Sequence, residues 1–183
     1  YLPYQFLLSD YNQRTDAYGG SARNRVRLVE ELIDAVREAT GGRCAVALRI
    51  SLQELRARPS ENAPSEAHEI IGLLKDAPDL FDVKMDYSAT DCAPSRFTPE
   101  GSHEPVVDFV KAITEKPVVG VGRFTSPDTM VSMIRRGVLD LIGGARPSIA
   151  DPFLPAKIAE GREDDIRECI GCNICISSWH DGV

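Results

Sequence analysis

An alternation of short apolar segments and amphipathic segments runs through most of the chain. After an amphipathic stretch at residues 21–40, apolar segments at 44–50, 81–86, 117–122 and 139–143 are each followed by a segment with helical periodicity. The connections between these apolar segments are far too long for hairpins, so the strands they predict are parallel and joined by crossover helices. The sequence therefore predicts an α/β protein with a parallel sheet made of four βα units.

Four βα units are half of a (β/α)8 TIM barrel. No strand precedes the helix predicted at residues 21–40, so we expect residues 1–160 to be the C-terminal half of a barrel. We expect residues 161–183 to begin a separate cysteine-rich segment that is truncated in this sequence. A half barrel that folds alone leaves two open strand edges and a large apolar face. We therefore expect it to self-associate as a homo-oligomer, most simply a symmetric dimer.

Charge and composition exclude two classes of partner. The formal net charge is −7, and a surface this acidic repels phosphate backbones, so we expect no nucleic-acid partner. No segment approaches the roughly 20 consecutive apolar residues of a membrane span, so we expect no membrane partner either. The cysteine content is odd and clustered, which is more typical of metal ligation in a reducing compartment than of disulfides, and predicts a cytoplasmic protein.

Glycine and arginine occur together where the last two predicted strands end. Residues 120–124 read Gly-Val-Gly-Arg-Phe, and residues 143–147 read Gly-Gly-Ala-Arg-Pro. In a parallel barrel these strand ends meet at one face, where small residues let backbone N–H groups approach a ligand and arginine pairs with phosphate. The two segments together predict a phosphate site. The alternative is that the glycines end the strands for steric reasons alone.

Arg49 lies near the C-terminal end of the first predicted strand, which is otherwise apolar. A buried arginine needs an anionic or strongly hydrogen-bonding partner. Two alternatives are open: a ligand at the active-site face of the barrel, or an internal ion pair with an aspartate of a neighbouring strand.

Three cysteines occupy a seven-residue segment near the C-terminus. Cys169, Cys172 and Cys175 have the Cys-x2-Cys-x2-Cys spacing that places three thiolates around one face of an iron–sulfur cubane, with a fourth ligand from elsewhere. Structural zinc usually takes its ligands as two separated pairs, which this segment lacks. The spacing favours an iron–sulfur cluster, with zinc and purely structural cysteines as the alternatives.

Two further residues have both a functional and a structural interpretation. Asp91 follows the end of the second predicted strand, where a carboxylate could orient a catalytic histidine or hold a cationic substrate, or could be a solvated loop residue. Trp179 follows the cysteines and could cover an active-site mouth or pack under the cluster.

The segments described so far resemble the trimethylamine dehydrogenase-like branch of the old yellow enzyme family. Residues 10–20, Asp-Tyr-Asn-Gln-Arg-Thr-Asp-Ala-Tyr-Gly-Gly, resemble the loop after the fourth barrel strand in that family. Residues 144–153 and 168–175 resemble the subgroup that carries an iron–sulfur cluster. The resemblance covers essentially all 183 residues, and the run through residues 177–182 is most similar to demethylases of dimethylglycine or N-methylproline. It implies a flavoprotein that binds FMN and a 4Fe-4S cluster.

The resemblance also implies roles for single residues. Arg49 is similar to the arginine at the flavin N1/O2 edge, Asp91 to the aspartate of a catalytic tyrosine–histidine–aspartate set, and Trp179 to one wall of the substrate bowl. Ser88 stands where trimethylamine dehydrogenase has a second bowl tryptophan, which argues against trimethylammonium as the substrate. The fourth cluster cysteine would lie beyond Val183. The implied phosphate-binding positions are Gly122, Arg123, Ala145 and Arg146.

The activity that the resemblance implies is oxidative N-demethylation of a small N-methyl amine or amino acid. Hydride would pass to FMN, and electrons would leave through the cluster to an electron acceptor. The main alternative is an enoate or 2,4-dienoyl-CoA reductase that uses NAD(P)H. An alternative of another class is an inactive half barrel that acts only as a folding or assembly module.

Overall fold

A computed structural model describes residues 2–52, 66–85 and 94–176. Its four strands form one parallel sheet in the order β1-β2-β3-β4, with Leu48 opposite Phe81, Phe81 opposite Val118, and Val119 opposite Leu141. Consecutive strands are neighbours, so right-handed crossovers place their helices on one face. The predicted parallel α/β architecture is confirmed. The strands are β1 (Ala47–Ser51), β2 (Leu80–Lys84), β3 (Val118–Gly120) and β4 (Leu141–Ile142).

The helices of the described residues lie before, between and after these strands. No helix in these residues is long and apolar enough to cross a membrane. The helices are α1 (Leu2–Leu7), α2 (Ala22–Thr40), α3 (Glu66–Leu74), α4 (Glu104–Val107), α5 (Val110–Ile113), α6 (Pro127–Arg135), α7 (Ala145–Ala150) and α8 (Leu154–Ala159), followed by a 3-10 turn at Glu163–Asp165.

The two faces of the sheet differ in burial. Ile50, Phe81 and Val83 are at most 3% exposed and belong to one apolar core with residues of α2 and α3. Arg49 and Asp82 alternate with them and lie on the opposite face, where the Arg49 side chain is 55% exposed. The prediction of a buried strand therefore holds for one face only. Parallel sheets are normally covered on both faces, so further strands of a barrel belong on the open one.

Helix α2 shows both the success and the limit of the helical periodicity. The side chain of Ser21 accepts a hydrogen bond from the backbone N–H of Asn24 at the start of the helix, and Gly41 ends it in the left-handed conformation (φ 60°). Val26 and Val29 are buried as their spacing predicts. Leu32 and Val36 share that spacing but are 44% and 46% exposed, because they line an open apolar cavity of about 300 Å³ beside the edge strand β1.

Several predicted boundaries differ from the structure. The helical segment predicted between the strands at 81–86 and 117–122 is two short helices, α4 and α5, and the one predicted after residues 139–143 is also two helices, α7 and α8. Helix α7 begins inside the second glycine–arginine segment, residues 143–147, where Gly144 takes an extended conformation (φ −152°) and helical geometry starts at Ala145. The periodicity of the sequence did not indicate α1.

The loop at residues 8–20 is held in its conformation by hydrogen bonds from polar side chains and by close packing. Asn12 donates from its side-chain amide to the carbonyl oxygens of Phe6 and Tyr18, at 2.8 and 2.7 Å. A Cβ atom on Gly19 would lie 2.0 Å from the carbonyl oxygen of Arg14, so only glycine fits at that position. Arg25 is 6% exposed; it donates to the carbonyl oxygens of Leu7 and Gly20 and forms an ion pair with Glu66 of α3.

Two aspartates at the N-terminal ends of the strands make the same pair of interactions, one with a backbone N–H and one with a basic side chain. Asp79 accepts a hydrogen bond from the backbone N–H of Val46 at 2.8 Å and from Arg37 of α2 at 3.0 Å. Asp140 accepts one from the backbone N–H of Val118 at 2.8 Å and pairs with Lys111 of α5 at 2.9 Å. Each carboxylate thus joins two neighbouring strands to a helix, α2 for Asp79 and α5 for Asp140. This end of a barrel contributes stability, and ligands bind at the other end.

Candidate functional site at the C-terminal ends of β3 and β4

Gly122 and Gly143, after β3 and β4, lie in close contact with neighbouring groups of the protein. A Cβ atom on Gly143 would lie 2.9 Å from Cγ1 of Val121, and one on Gly122 would lie 3.2 Å from Cα of Gly101. The N–H of Gly143 donates to the carbonyl oxygen of Gly120 at 2.8 Å, which holds the two strand ends together. The steric explanation of these glycines therefore applies to both segments.

Arg123 lies three residues after the end of β3 and has a left-handed conformation (φ 59°). Its Nε donates to the carbonyl oxygen of Thr98 at 2.9 Å, and the N–H of Gly101 donates to the carbonyl oxygen of Gly122 at 2.9 Å. The loop after β2 is therefore bonded to the segment after β3 in two places.

The carboxylate of Glu100 adds a third connection between these loops. It accepts hydrogen bonds from the backbone N–H groups of Thr125 and Ser126, at 3.0 and 3.1 Å, and from the Thr125 hydroxyl. These groups precede α6, so a negative charge lies at the start of that helix, where it is stabilising. The backbone around Arg123 is thereby held on both sides.

Arg146 connects three segments. As the first two residues of α7, Ala145 and Arg146 present backbone N–H groups that a helix does not satisfy by itself. The guanidinium Nη1 of Arg146 donates to the carbonyl oxygen of Pro94 and to Oδ1 of Asn173. Pro94 belongs to the loop after β2, and Asn173 lies between the second and third cysteines of the predicted cluster motif.

The charges of Arg123 and Arg146 are not compensated in the described part of the chain. Both make hydrogen bonds to uncharged oxygens, and no carboxylate in residues 2–52, 66–85 and 94–176 lies within 4.0 Å of either guanidinium. A guanidinium has five N–H donors, so both retain donors for a further acceptor. This face of the sheet therefore combines two cationic side chains with the backbone N–H groups at the start of α7.

Arg49 forms the internal ion pair that was one of its two predicted alternatives. Its Nη1 lies 3.1 Å from Oδ2 of Asp82, the residue opposite it on β2. The other oxygen of Asp82, Oδ1, is buried and has no hydrogen-bond partner in the described residues. The cavity that Arg49 lines is the one beside α2, and neither Arg123 nor Arg146 lines it.

The three cysteines of the cluster motif lie in the segment after α8. Cys169 is half-buried, Cys172 and Cys175 are exposed, and all three are free thiols. The chain turns between them, since Gly171 and Asn173 have left-handed backbone conformations (φ 65° and 62°). Within the described ranges, no three His, Cys, Asp or Glu side chains are gathered closely enough to hold a metal ion. Asp91, Ser88 and Trp179 lie outside the described residues.

Asp151 is a buried residue of this region that sequence reasoning did not single out. It is 2% exposed, and its carboxylate accepts hydrogen bonds from Lys157 Nζ at 2.6 Å, the backbone N–H of Arg167 at 2.9 Å and the backbone N–H of Phe153 at 3.0 Å. These donors, above all Lys157, lower the pKa of Asp151 from 3.8 to about 2. It joins the end of α7, α8 and the segment that leads to the cysteines.

Sequence reasoning also missed Glu100 and Asn173. Asn173 could have been predicted as a turn residue, because asparagine is one of the few residue types that tolerate a left-handed backbone conformation. Glu100 had none, since its partners lie some 25 residues away and are mainly backbone groups.

Comparison with known proteins gives a consistent result. Residues 1–165 match the NADH:flavin oxidoreductase / NADH oxidase family. Over the whole chain the sequence is 44% identical to dimethylamine dehydrogenase of Hyphomicrobium sp. (strain x), of which it covers 25%.

Two solved structures share both the fold and much of the sequence. Histamine dehydrogenase from Rhizobium sp. 4-9 matches with a TM-score of 0.88 and 49% identity over 97% of this chain and 26% of that one. The 6-hydroxypseudooxynicotine amine oxidase from Pseudomonas geniculata N1 matches with a TM-score of 0.83 and 57% identity over 93% and 25%. The chain spans about a quarter of the length of the relatives it matches.

Proposed function

The chain belongs to the NADH:flavin oxidoreductase / NADH oxidase family, and we propose that the whole protein is an FMN-dependent oxidoreductase that oxidises a small N-methylated amine or amino acid. These residues form part of its (β/α)8 barrel of the old yellow enzyme type. In this proposal they supply the phosphate end of the FMN site and the first three ligands of an iron–sulfur cluster.

The observation that carries the FMN site is the uncompensated charge at the ends of β3 and β4. Arg123 and Arg146 have no carboxylate partner among the described residues, and Ala145 and Arg146 add N–H groups at the start of α7. A phosphate monoester offers two negative charges and several acceptor oxygens, which match charge-assisted donors of this kind. The phosphate of FMN therefore fits between these two strand ends, at Gly122, Arg123, Ala145 and Arg146.

Arg49 serves the opposite end of the flavin in this proposal. Its side chain lies on the face of the sheet that further barrel strands would enclose, and it keeps donors beyond those that pair with Asp82. A cation at the N1/O2 edge stabilises reduced, anionic flavin. Asp82 lowers the net charge at that position and fixes the direction of the guanidinium.

The donor set in the segment after α8 suits an iron–sulfur cluster. Cys169, Cys172 and Cys175 are free thiols, and left-handed residues between them turn the chain at short intervals. Thiolates at this spacing ligate cubane clusters, and the fourth cysteine would come from beyond residue 183. When bound, FMN supplies the hydride acceptor and the cluster supplies a one-electron exit to a separate electron acceptor.

The substrate class follows from the similarity to enzymes of amine oxidation. Loss of hydride from the carbon beside the nitrogen leaves an iminium, and addition of water to that iminium gives the demethylated amine and formaldehyde. Asp91 would orient the catalytic groups and Trp179 would form one wall of the substrate bowl, as the family resemblance implies. We propose that the enzyme acts in the cytoplasm.

Anaerobic reduction of the full-length protein tests this proposal against the alternatives. We expect N-methyl amines such as dimethylamine, dimethylglycine or N-methylproline to bleach the flavin absorbance and to release formaldehyde. Bleaching by NAD(P)H alone, with reoxidation by an enoate or a dienoyl-CoA, would identify a reductase instead. A full-length protein that is purified without flavin and does not bind added FMN would favour the folding or assembly module.

A further inference from the structure

The segment that carries the cysteines is bonded directly to the arginine that we assign to the FMN phosphate. Oδ1 of Asn173 accepts a hydrogen bond from Nη1 of Arg146, 27 residues earlier in the chain. The same nitrogen donates to the carbonyl oxygen of Pro94, and the N–H of Arg96 donates to the carbonyl oxygen of Gly171 at 2.9 Å. The loop after β2, the start of α7 and residues 166–176, which we call the cysteine loop, therefore meet around one guanidinium.

The backbone on both sides of this contact fits it closely. Gly171 has a left-handed conformation, and a Cβ atom there would lie 2.7 Å from the backbone nitrogen of Arg96, so the loop approaches this segment without any side chain between them. Asn173 has a left-handed conformation as well, which turns its short amide side chain toward Arg146. An uncharged acceptor at this position has a chemical advantage, because it orients the guanidinium without neutralising it.

We infer that Asn173 is a positioning residue that joins the cysteine loop to the flavin-phosphate site through Arg146. The inference rests on the proposed function for the phosphate, but the attachment of the loop to Arg146 does not. An aspartate in the same place would hold the loop equally well and would take up the positive charge that the phosphate needs. At a left-handed position, asparagine meets two requirements: it holds the loop to Arg146, and it leaves the positive charge of Arg146 available for the phosphate.

Two substitutions in the full-length protein separate the two requirements. Asn173→Gly keeps the left-handed backbone free of strain and removes only the side chain. Asn173→Asp keeps an acceptor of the same shape and adds a negative charge. Glu168→Gly is the matched control, since it gives the same loop the same backbone freedom and Glu168 makes no side-chain hydrogen bond in the described residues.

Hydrogen exchange at residues 166–176 and the Kd of FMN are the two readouts. We expect Asn173→Gly to speed exchange in the cysteine loop about tenfold relative to Glu168→Gly, because opening of the loop no longer breaks the bond to Arg146. We expect Asn173→Asp to leave exchange at the wild-type rate and to raise the Kd of FMN about tenfold. If Asn173 had a purely structural role, Asn173→Asp would not raise the Kd of FMN while exchange in the cysteine loop stayed at the wild-type rate.

The possible failures are distinguishable. Equal exchange rates in Asn173→Gly and Glu168→Gly would overturn the inference and leave the FMN proposal intact. Faster exchange in Asn173→Gly, together with an unchanged FMN Kd in Asn173→Asp, would keep the attachment of the loop but remove the phosphate from Arg146.

Discussion

Arginines at the carboxyl ends of the strands have different environments in the structure. Arg49 is balanced by Asp82, whereas Arg123 and Arg146 are bonded to uncharged carbonyl and amide oxygens. The sequence could indicate that arginines gather at this face. It could not indicate which one is neutralised, because that depends on the register that places Asp82 opposite Arg49.

Replacement of Arg146 tests the phosphate assignment at the level of one side chain. We expect Arg146→Ala in the full-length protein to weaken FMN binding by about 1.5–3 kcal/mol, roughly a tenfold to 150-fold increase in Kd, because a charge-assisted hydrogen bond is lost. Titration of the apoprotein with FMN measures the change. Arg167→Ala is the control, since the Arg167 side chain is exposed and makes no hydrogen bond in the described residues. Equal FMN affinity in the two variants would remove the assignment.

Secondary-structure elements were predicted well where amphipathic periodicity was long, and poorly where a backbone turn decided the outcome. The 19-residue helix α2 begins and ends where its cap residues indicate. Helix α7 was not predicted, because its six residues are too few to show a periodicity and its start depends on the conformation of Gly144. Asp151 was missed for a related reason. Its donors include Lys157 of α8 and the backbone N–H of Arg167, which lie 6 and 16 residues later in the chain.

Asp151 should make the junction of α7, α8 and the cysteine loop sensitive to acid. The hydrogen bonds from Lys157 and from backbone N–H groups lower the pKa of its carboxyl from 3.8 to about 2 in the folded protein. A depressed pKa means that the carboxylate stabilises the folded state fully above pH ~4 and that this stabilisation is lost as the pH falls toward 2. Below that range, protonated Asp151 resembles asparagine.

Thermal unfolding of the full-length protein and of Asp151→Asn between pH 7 and pH 2.5 measures this contribution. We expect the variant to have the lower Tm at pH 7 and the gap between the two proteins to narrow as the pH falls below 4. A gap that stays constant over the whole range would contradict the assignment of the low pKa to Asp151. Glu160→Gln serves as a control for the loss of a surface carboxylate, because the one ion pair of Glu160 within the described residues is with the exposed Arg162.

At the scale of the molecule, the sheet has one covered and one open face. The helices bury Phe81, Val83 and Ile50, while the opposite face and the groove beside β1 remain accessible. The parallel α/β fold followed from the alternation of the sequence alone, and the number of βα units in that alternation indicated half of a (β/α)8 barrel.

The open face predicts the behaviour of these 183 residues when they are expressed alone. If they fold, we expect self-association, most simply a dimer, because the free edge of β1 and the exposed face of the sheet would otherwise remain in water. Light scattering over a range of concentrations measures the mass. A well-folded monomer at all concentrations would contradict this expectation.

The hydrogen-bonded loop at residues 8–20 has a consequence for how members of this family are recognised. Asn12, Gly19 and Arg25 are required by contacts within the loop and with α3, and none of these contacts involves the ends of β3 and β4. A lineage could exchange amine oxidation for alkene reduction and still retain every letter of this segment. As a search signature we therefore expect this loop to identify ancestry, whereas inheritance of chemistry has to be traced through the residues around Arg146 and Asn173.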